Sequence, residues 1–360
     1  MTLPEAVAAY GLPTSQDLPS EPCSSEQWSA LLAAVVRQRV PGLLSRAIAD
    51  GALPVSDAQL GEALGVQQTA MEVALLLDRQ LQRLSVTLDQ AGIAHRALKG
   101  AAFAHLDYEQ PSQRAYGDVD LLVPSARLDD AVAHLTSSGL RRRHPPLRPG
   151  FEARFAKTVE LLGDTEVDVH RTIALEPFGW WVREEDLFAA PAPLHLGAQS
   201  VPAPPQTVRF LHACYHAALG NRPPRLSPLR DVAQMALSDR LDWREAVATA
   251  RRWRGETVVA EALRVARATL RLEVDGGIWR WADHCYGGGL ERRALESYRS
   301  GTRRQTERTL QAVQALPWRD RGRYLTAILR PDAAYLAERQ TDRGAWLRRG
   351  GRALRDVVRR

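Results

Sequence analysis

The sequence predicts an α+β fold: a small mixed sheet preceded by helices and followed by a helical bundle. Three observations lead there. Apolar residues recur at helical spacing over most of the chain, the texture changes to short β-rich runs between residue 93 and about residue 175, and helical spacing resumes beyond a proline-rich stretch. With 360 residues, 45% hydrophobic and 25% charged, the chain has ordinary globular composition and room for two domains or one large composite fold. A wholly disordered or fibrous protein is excluded.

Residues 1–27, rich in Pro, Ser and Gly, read as a mobile N-terminal arm. A helical region, 28–92, begins where Trp28, Leu31, Leu32, Val35 and Val36 fall at helical spacing ahead of Pro41-Gly42. In a longer helix Val73, Leu77, Leu81, Leu84 and Leu88 form the apolar stripe, and Gly92 stops it. The α/β module, 93–190, opens with a short strand over Ile93 to Leu98, a turn at Lys99-Gly100 and a helix over Ala101 to Tyr108. Asp118 to Val123 alternates and then turns fully apolar, as a central strand does. A helix marked by Leu128, Ala131, Val132 and Leu135 follows, closed by Gly139. Thr158 to Leu162 and Glu166 to His170 form a hairpin around Gly163-Asp164-Thr165. Pro191 to Pro205 reads as a separator. Beyond it lies a C-terminal helical domain, 206–338, with helices over Val208–Leu219, Leu229–Leu237, Trp243–Trp253 and Val258–Leu270, and then a basic tail, 339–360.

Charge narrows the function classes. The net charge is +6, and residues 339–360 hold eight arginines against Asp342 and Asp356, a local +6 that leaves the rest of the chain neutral. Nucleic-acid binding is therefore a question for the tail and is not favoured for the body. No run of about 18 apolar residues spans a membrane. Met1-Thr2-Leu3-Pro4-Glu5 lacks a secretory pattern, and Cys23, Cys214 and Cys285 are scattered, so a cytoplasmic location is expected. Of 48 basic residues only Lys99 and Lys157 are lysine. A compact ammonium differs most from a guanidinium in a confined phosphate site.

Chemistry concentrates in the central module. On a strand, Asp118 and Asp120 point the same way, about 6.6 Å apart along the backbone, while Val119 and Leu121 enter the core. Two carboxylates beside a buried strand are costly unless neutralised, and a divalent cation with hard oxygen ligands does so. Asp168, between Val167 and Val169 on the hairpin, joins that face if the hairpin packs beside the strand. Lys99-Gly100, at a strand-to-helix junction, offers a bare backbone, free helix-start amides and an ammonium to a phosphate. A strand end facing water and a simple turn remain the bland alternatives for these features.

The order Leu98-Lys99-Gly100, Arg114, Asp118-Val119-Asp120-Leu121-Leu122-Val123 and Val167-Asp168-Val169-His170 resembles the bacterial uncharacterised nucleotidyltransferase family, a branch of the polymerase-β-like (minimal) nucleotidyltransferase superfamily. His212 and His216 followed by Leu229-Arg230-Asp231, and Pro331 with Tyr335-Leu336, extend the likeness over roughly residues 28–350. The resemblance implies an α/β palm with helical additions, and transfer of a nucleoside monophosphate from an NTP such as ATP to a hydroxyl acceptor. It implies two Mg2+ ions on Asp118, Asp120 and Asp168, with Asp168 orienting or deprotonating the hydroxyl. Lys99 and Gly100 would take the phosphates, replacing the Gly-Ser of the wider superfamily, and Arg114 would reach the γ-phosphate or pyrophosphate.

The remaining residues keep open readings. His170 shares the parity of Asp168 and is placed to support the acids. His212 and His216, at i and i+4 on one helix face, with Asp231 could ligate a metal, but packing or contact with base or acceptor is preferred. A small-molecule or protein acceptor is favoured because the helical domain shows no aromatic ladder for stacking bases. The alternatives are a catalytically silent binding module acting through its helical domain, and an RNA-binding protein using the basic tail.

Overall fold

A computed structural model describes residues 2–15, 17–220, 223–299, 313–342 and 344–346. It opens with α1 (Leu3–Ala9), α2 (Ser25–Gln38), α3 (Pro41–Ala49) and the long α4 (Asp57–Gln90). Sequence dictates where two of these begin. The hydroxyls of Ser24 and Ser56 accept from the backbone N–H of Gln27 and Gln59, whose side chains accept from the serine N–H in return. On α4 the predicted stripe is buried at Leu77, Leu81, Leu84 and Leu88, whereas Val73 faces outward.

The sheet holds β1 (Arg96–Ala97), β2 (Val119–Leu122), β3 (Arg141–Arg142), β4 (Thr158–Leu162) and β5 (Glu166–His170), in the order β1-β2-β5-β4-β3. Only β2 and β5 are parallel; the other neighbours run antiparallel. Between strands lie α5 (Lys99–Asp107), α6 (Leu128–Ser137) and α7 (Phe151–Phe155). The parallel pair aligns Val119 with Val167, Asp120 with Asp168, Leu121 with Val169 and Leu122 with His170. Leu121, Leu122, Val123, Val167 and Val169 are fully buried, each contributing about 1.5–3 kcal/mol relative to exposure. A one-residue slip of either strand would drive its aspartates toward the core, so the apolar face fixes the register that brings the acids together.

After α8 (Phe178–Trp181) and α9 (Glu184–Leu187), the stretch expected as a separator forms a hairpin, β6 (Ala192–Leu196) and β7 (Gln199–Ala203), packed against β1. Its inward residues, Leu194, Leu196, Val201 and Ala203, alternate with exposed ones, and Gly197 takes the positive φ that the tight turn requires. The prolines at 193 and 202 obscured that alternation.

The helical layer comprises α10 (Gln206–Leu219), α11 (Leu226–Ala236), α12 (Trp243–Arg252), α13 (Glu256–Leu270), α14 (Gly277–His284) and α15 (Gly289–Arg299). Helices Trp318–Leu329 and Ala333–Glu338 follow, the first resting on α7. One continuous apolar core runs from Val7 to Tyr298.

The expectation of a mobile arm over 1–27 is corrected. Helix α1 buries Val7, Ala8 and Ala9 completely against α3, α11 and α13. The fully buried Arg230 donates to the carbonyls of Ala8 and Tyr10 at 3.0 and 2.6 Å. Beyond α1, Thr14 bridges to Leu272, and its hydroxyl donates to the Leu270 carbonyl at 2.8 Å. Short apolar segments of this kind are held by distant partners, which local composition does not reveal. Most of the basic tail lies outside the described residues. Among the described residues no helix is long and apolar enough to cross a membrane.

Candidate active site

Three elements meet at the carboxylates. Strand β2 supplies Asp120, with Asp118 just ahead of it, and β5 supplies Asp168 and His170. Strand β1 delivers the lysine turn: the Leu98 N–H donates to the Asp120 carbonyl at 2.9 Å, which sets Lys99 beside β2. The Lys99 ammonium lies 2.7 Å from Asp120 Oδ1 and 3.6 Å from Asp118 Oδ2. At Gly100 the dihedrals leave the helical region (φ 11°, ψ −104°), so the turn breaks before α5 proceeds.

His170 completes the cluster. Its Nε2 donates to Asp120 Oδ1 at 2.7 Å and lies 3.8 Å from Asp168 Oδ2. Burial pushes the imidazole down to about 4, so the ring is neutral near pH 7 and acts as a hydrogen-bond donor rather than a cation. Burial alone would raise the pKa of Asp120, but Lys99 and the His170 hydrogen bond hold it well below the usual carboxylate range. Asp168 goes the other way: burial, and then the nearby charge of Asp120, push it up to about 7. Burial tends to lower Lys99, yet Asp120 and Asp118 win and keep it charged.

The donor set suits a divalent cation. Ligand atoms of Asp120, Asp168 and His170 all lie within 4.8 Å of one another. Asp120 Oδ2 is buried and finds no hydrogen-bond partner among the described residues. Such an orphaned carboxylate oxygen is costly, and hard oxygen ligands are what magnesium prefers. Asp118 adjoins this group through the shared Lys99 ammonium.

Arg114, expected at the γ-phosphate or pyrophosphate, is engaged by a carboxylate in this structure. Its guanidinium is 6% exposed and forms a bidentate fork with Asp231, at 2.8 Å from Nε to Oδ1 and 2.8 Å from Nη2 to Oδ2. Nη1 donates to the Gly100 carbonyl at 3.2 Å, and the cation sits 5.2 Å above the Phe103 ring. Arg114 therefore ties the lysine turn to α11, a partnership spanning 117 residues that no local motif announces. With Asp231 held by Arg114 and by the Tyr108 hydroxyl at 2.8 Å, the histidine metal alternative loses its carboxylate. His212 packs edge-to-face on Phe103. Burial, and then Lys99, hold both His212 and His216 well below the ordinary imidazole value.

Two neighbours were underweighted from sequence. His170 was read only as support, yet its ring lies among the carboxylates at ligand distance. Lys157 had one signal, the scarcity of lysine.

The family model described as uncharacterised nucleotidyltransferase matches residues 24–271. No curated protein matches the chain. Among solved structures, that of the antibiotic-resistance factor ANT(2'')-Ia is 16% identical, covering 56% of this chain and 95% of its own, with a TM-score of 0.33. An antigenic nucleotidyltransferase-like protein from Paracoccidioides brasiliensis is 18% identical, covering 57% and 96%, also with a TM-score of 0.33. Likeness at that level carries no argument here. The family match does, because it runs over well over half of the 360 residues and takes in every strand of both sheets, and on that ground the chain belongs to the uncharacterised nucleotidyltransferase family and is a nucleotidyltransferase.

Proposed function

We propose that the protein moves a nucleoside monophosphate from an NTP to a hydroxyl acceptor with magnesium, and that Asp118, Asp120 and Asp168 hold the metal. The observation that carries this reading is the parallel pairing of Asp120 with Asp168 beside the Lys99 ammonium. Two magnesium ions held there would neutralise the triphosphate and lower the pKa of the acceptor hydroxyl.

The chain's own groups divide the remaining work. Lys99, on a flexible four-carbon stem, exchanges its carboxylate partners for phosphate oxygens when a nucleotide arrives. Gly100 leaves the turn bare: the nearest atoms to an added Cβ, of Asp118 and Tyr116, lie 3.5 Å away, so a side chain there would take up space the phosphate approaches. Amides at the start of α5 add donors. Asp168 orients the acceptor hydroxyl and accepts its proton. As that proton leaves, the acceptor oxygen bonds to the α-phosphorus and the bond to pyrophosphate breaks. His170 keeps Asp120 oriented. A small-molecule or protein hydroxyl is favoured over an RNA end.

The test is incubation of the protein and magnesium with cell extract and each of four NTPs labelled at the α-phosphate. One NTP is expected to leave label on an acceptor, and Asp120→Asn to abolish the transfer. Absence of transfer from every NTP, or transfer that survives Asp120→Asn, would overturn the reading.

A further inference from the structure

The chain has two lysines among 48 basic residues, and the fold brings both within electrostatic range of the same carboxylates. Lys99 is already paired there. Lys157 immediately precedes β4, where the antiparallel register sets Thr158 opposite His170, and its carbonyl accepts from the Arg171 N–H at 2.9 Å. Its half-buried ammonium lies within electrostatic range of Lys99, Asp120, Asp168 and Asp118. Among the described residues it has no ion pair and no side-chain hydrogen bond.

The groups from neighbouring elements do not balance this charge. Asp120 and Asp118 are engaged by Lys99, and His212 and His216 of α10 are kept neutral. A half-buried ammonium beside a second ammonium, with no partner of its own, is unfavourable until an anion arrives. Filling Asp118, Asp120 and Asp168 with divalent cations would remove even the distant compensation those acids give, leaving the nucleotide as the source of negative charge.

On this basis, and resting on the nucleotidyl-transfer reading above, we propose that Lys157 is a second phosphate-binding ammonium that contacts the β- or γ-phosphate of the bound NTP. It meets the charge that collects on pyrophosphate as the bond to the α-phosphorus breaks. A compact ammonium fits where the broad guanidinium of the chain's other 46 basic residues would not.

Because only two lysines exist, protein labelled with 13C at lysine Cε gives two lysine signals, assigned with Lys157→Gln. With calcium in place of magnesium, inorganic tripolyphosphate and each NTP are expected to move both signals, whereas nucleoside monophosphates leave the Lys157 signal in place. Lys157→Gln should weaken tripolyphosphate and NTP binding about tenfold without changing monophosphate affinity, and Lys157→Arg should fail to restore it. If the Lys99 signal moves and the Lys157 signal does not, the Lys157 assignment is wrong and the site reading stands. An equal affinity loss for monophosphate and triphosphate also overturns it. If neither signal moves with any probe, both readings fall.

Discussion

Replacing Asp168 with asparagine should stabilise the metal-free protein, and the gain should grow with pH. Burial and the neighbouring Asp120 push the Asp168 carboxyl from 3.8 to about 7, and its side chain is 19% exposed, so solvent screens it little. The native state therefore holds this proton at a pH where the unfolded chain has lost it. Stability from this group is complete below about pH 4, falls as pH rises through about 7, and is flat beyond. A shift of about three units corresponds to at most ~4 kcal/mol at 1.36 kcal/mol per unit. Asparagine keeps the neutral state throughout. Its advantage over aspartate should thus increase by ~2–3 kcal/mol between pH 5 and pH 8, the part of the window those two values span. Urea unfolding of both proteins with a chelator present reads this difference directly. Adding magnesium should narrow the gap at pH 8, because saturation at a hundredfold excess over Kd returns about 2.7 kcal/mol of the ~4 kcal/mol to the wild type and not to the variant. The reasoning is refuted if the variant's advantage is the same at both pH values, or if it is the less stable protein at pH 8 without metal.

Two further substitutions separate scaffold from chemistry. Asp231→Asn strands the buried Arg114 guanidinium and should cost about 3–5 kcal/mol in denaturant unfolding, while NTP affinity of the folded variant stays within about twofold of wild type. A fall in affinity without lost stability would return Arg114 to the phosphates. Deleting residues 1–15 removes the buried face of α1 and both carbonyl acceptors of Arg230, and should lower stability by about 4 kcal/mol or more. An unchanged unfolding midpoint would show that α1 is not part of the core.

Local chemistry was the legible part of this molecule. The Asp118–Val123 run, the hairpin around Gly163-Asp164-Thr165 and the stripes of α4, α10 and α13 declare themselves because period and turn residues act over a few positions. Strand β1 falls inside the strand expected over Ile93 to Leu98, whereas β3, two residues long, carries no period to detect. The neighbour order of the strands was not legible either, and the parallel pairing of β2 with β5 is what turns three scattered acids into a cluster. The same holds for Arg114. Its residue type fits a phosphate, and only Asp231, on a distant helix, decides otherwise. His170 was half visible: parity placed it beside Asp168, but the hydrogen bond to Asp120 needs the neighbouring strand.

The central claim is that Asp120 and Asp168 serve one metal site, and manganese binding tests it most directly. Free Mn2+ measured by electron paramagnetic resonance during titration gives the affinity of the wild type, Asp120→Asn, Asp168→Asn and the double variant. Either single change should weaken binding more than about 100-fold, with the double change adding little, as residues acting as one unit do. Manganese affinity in all three variants equal to that of the wild type would contradict the account.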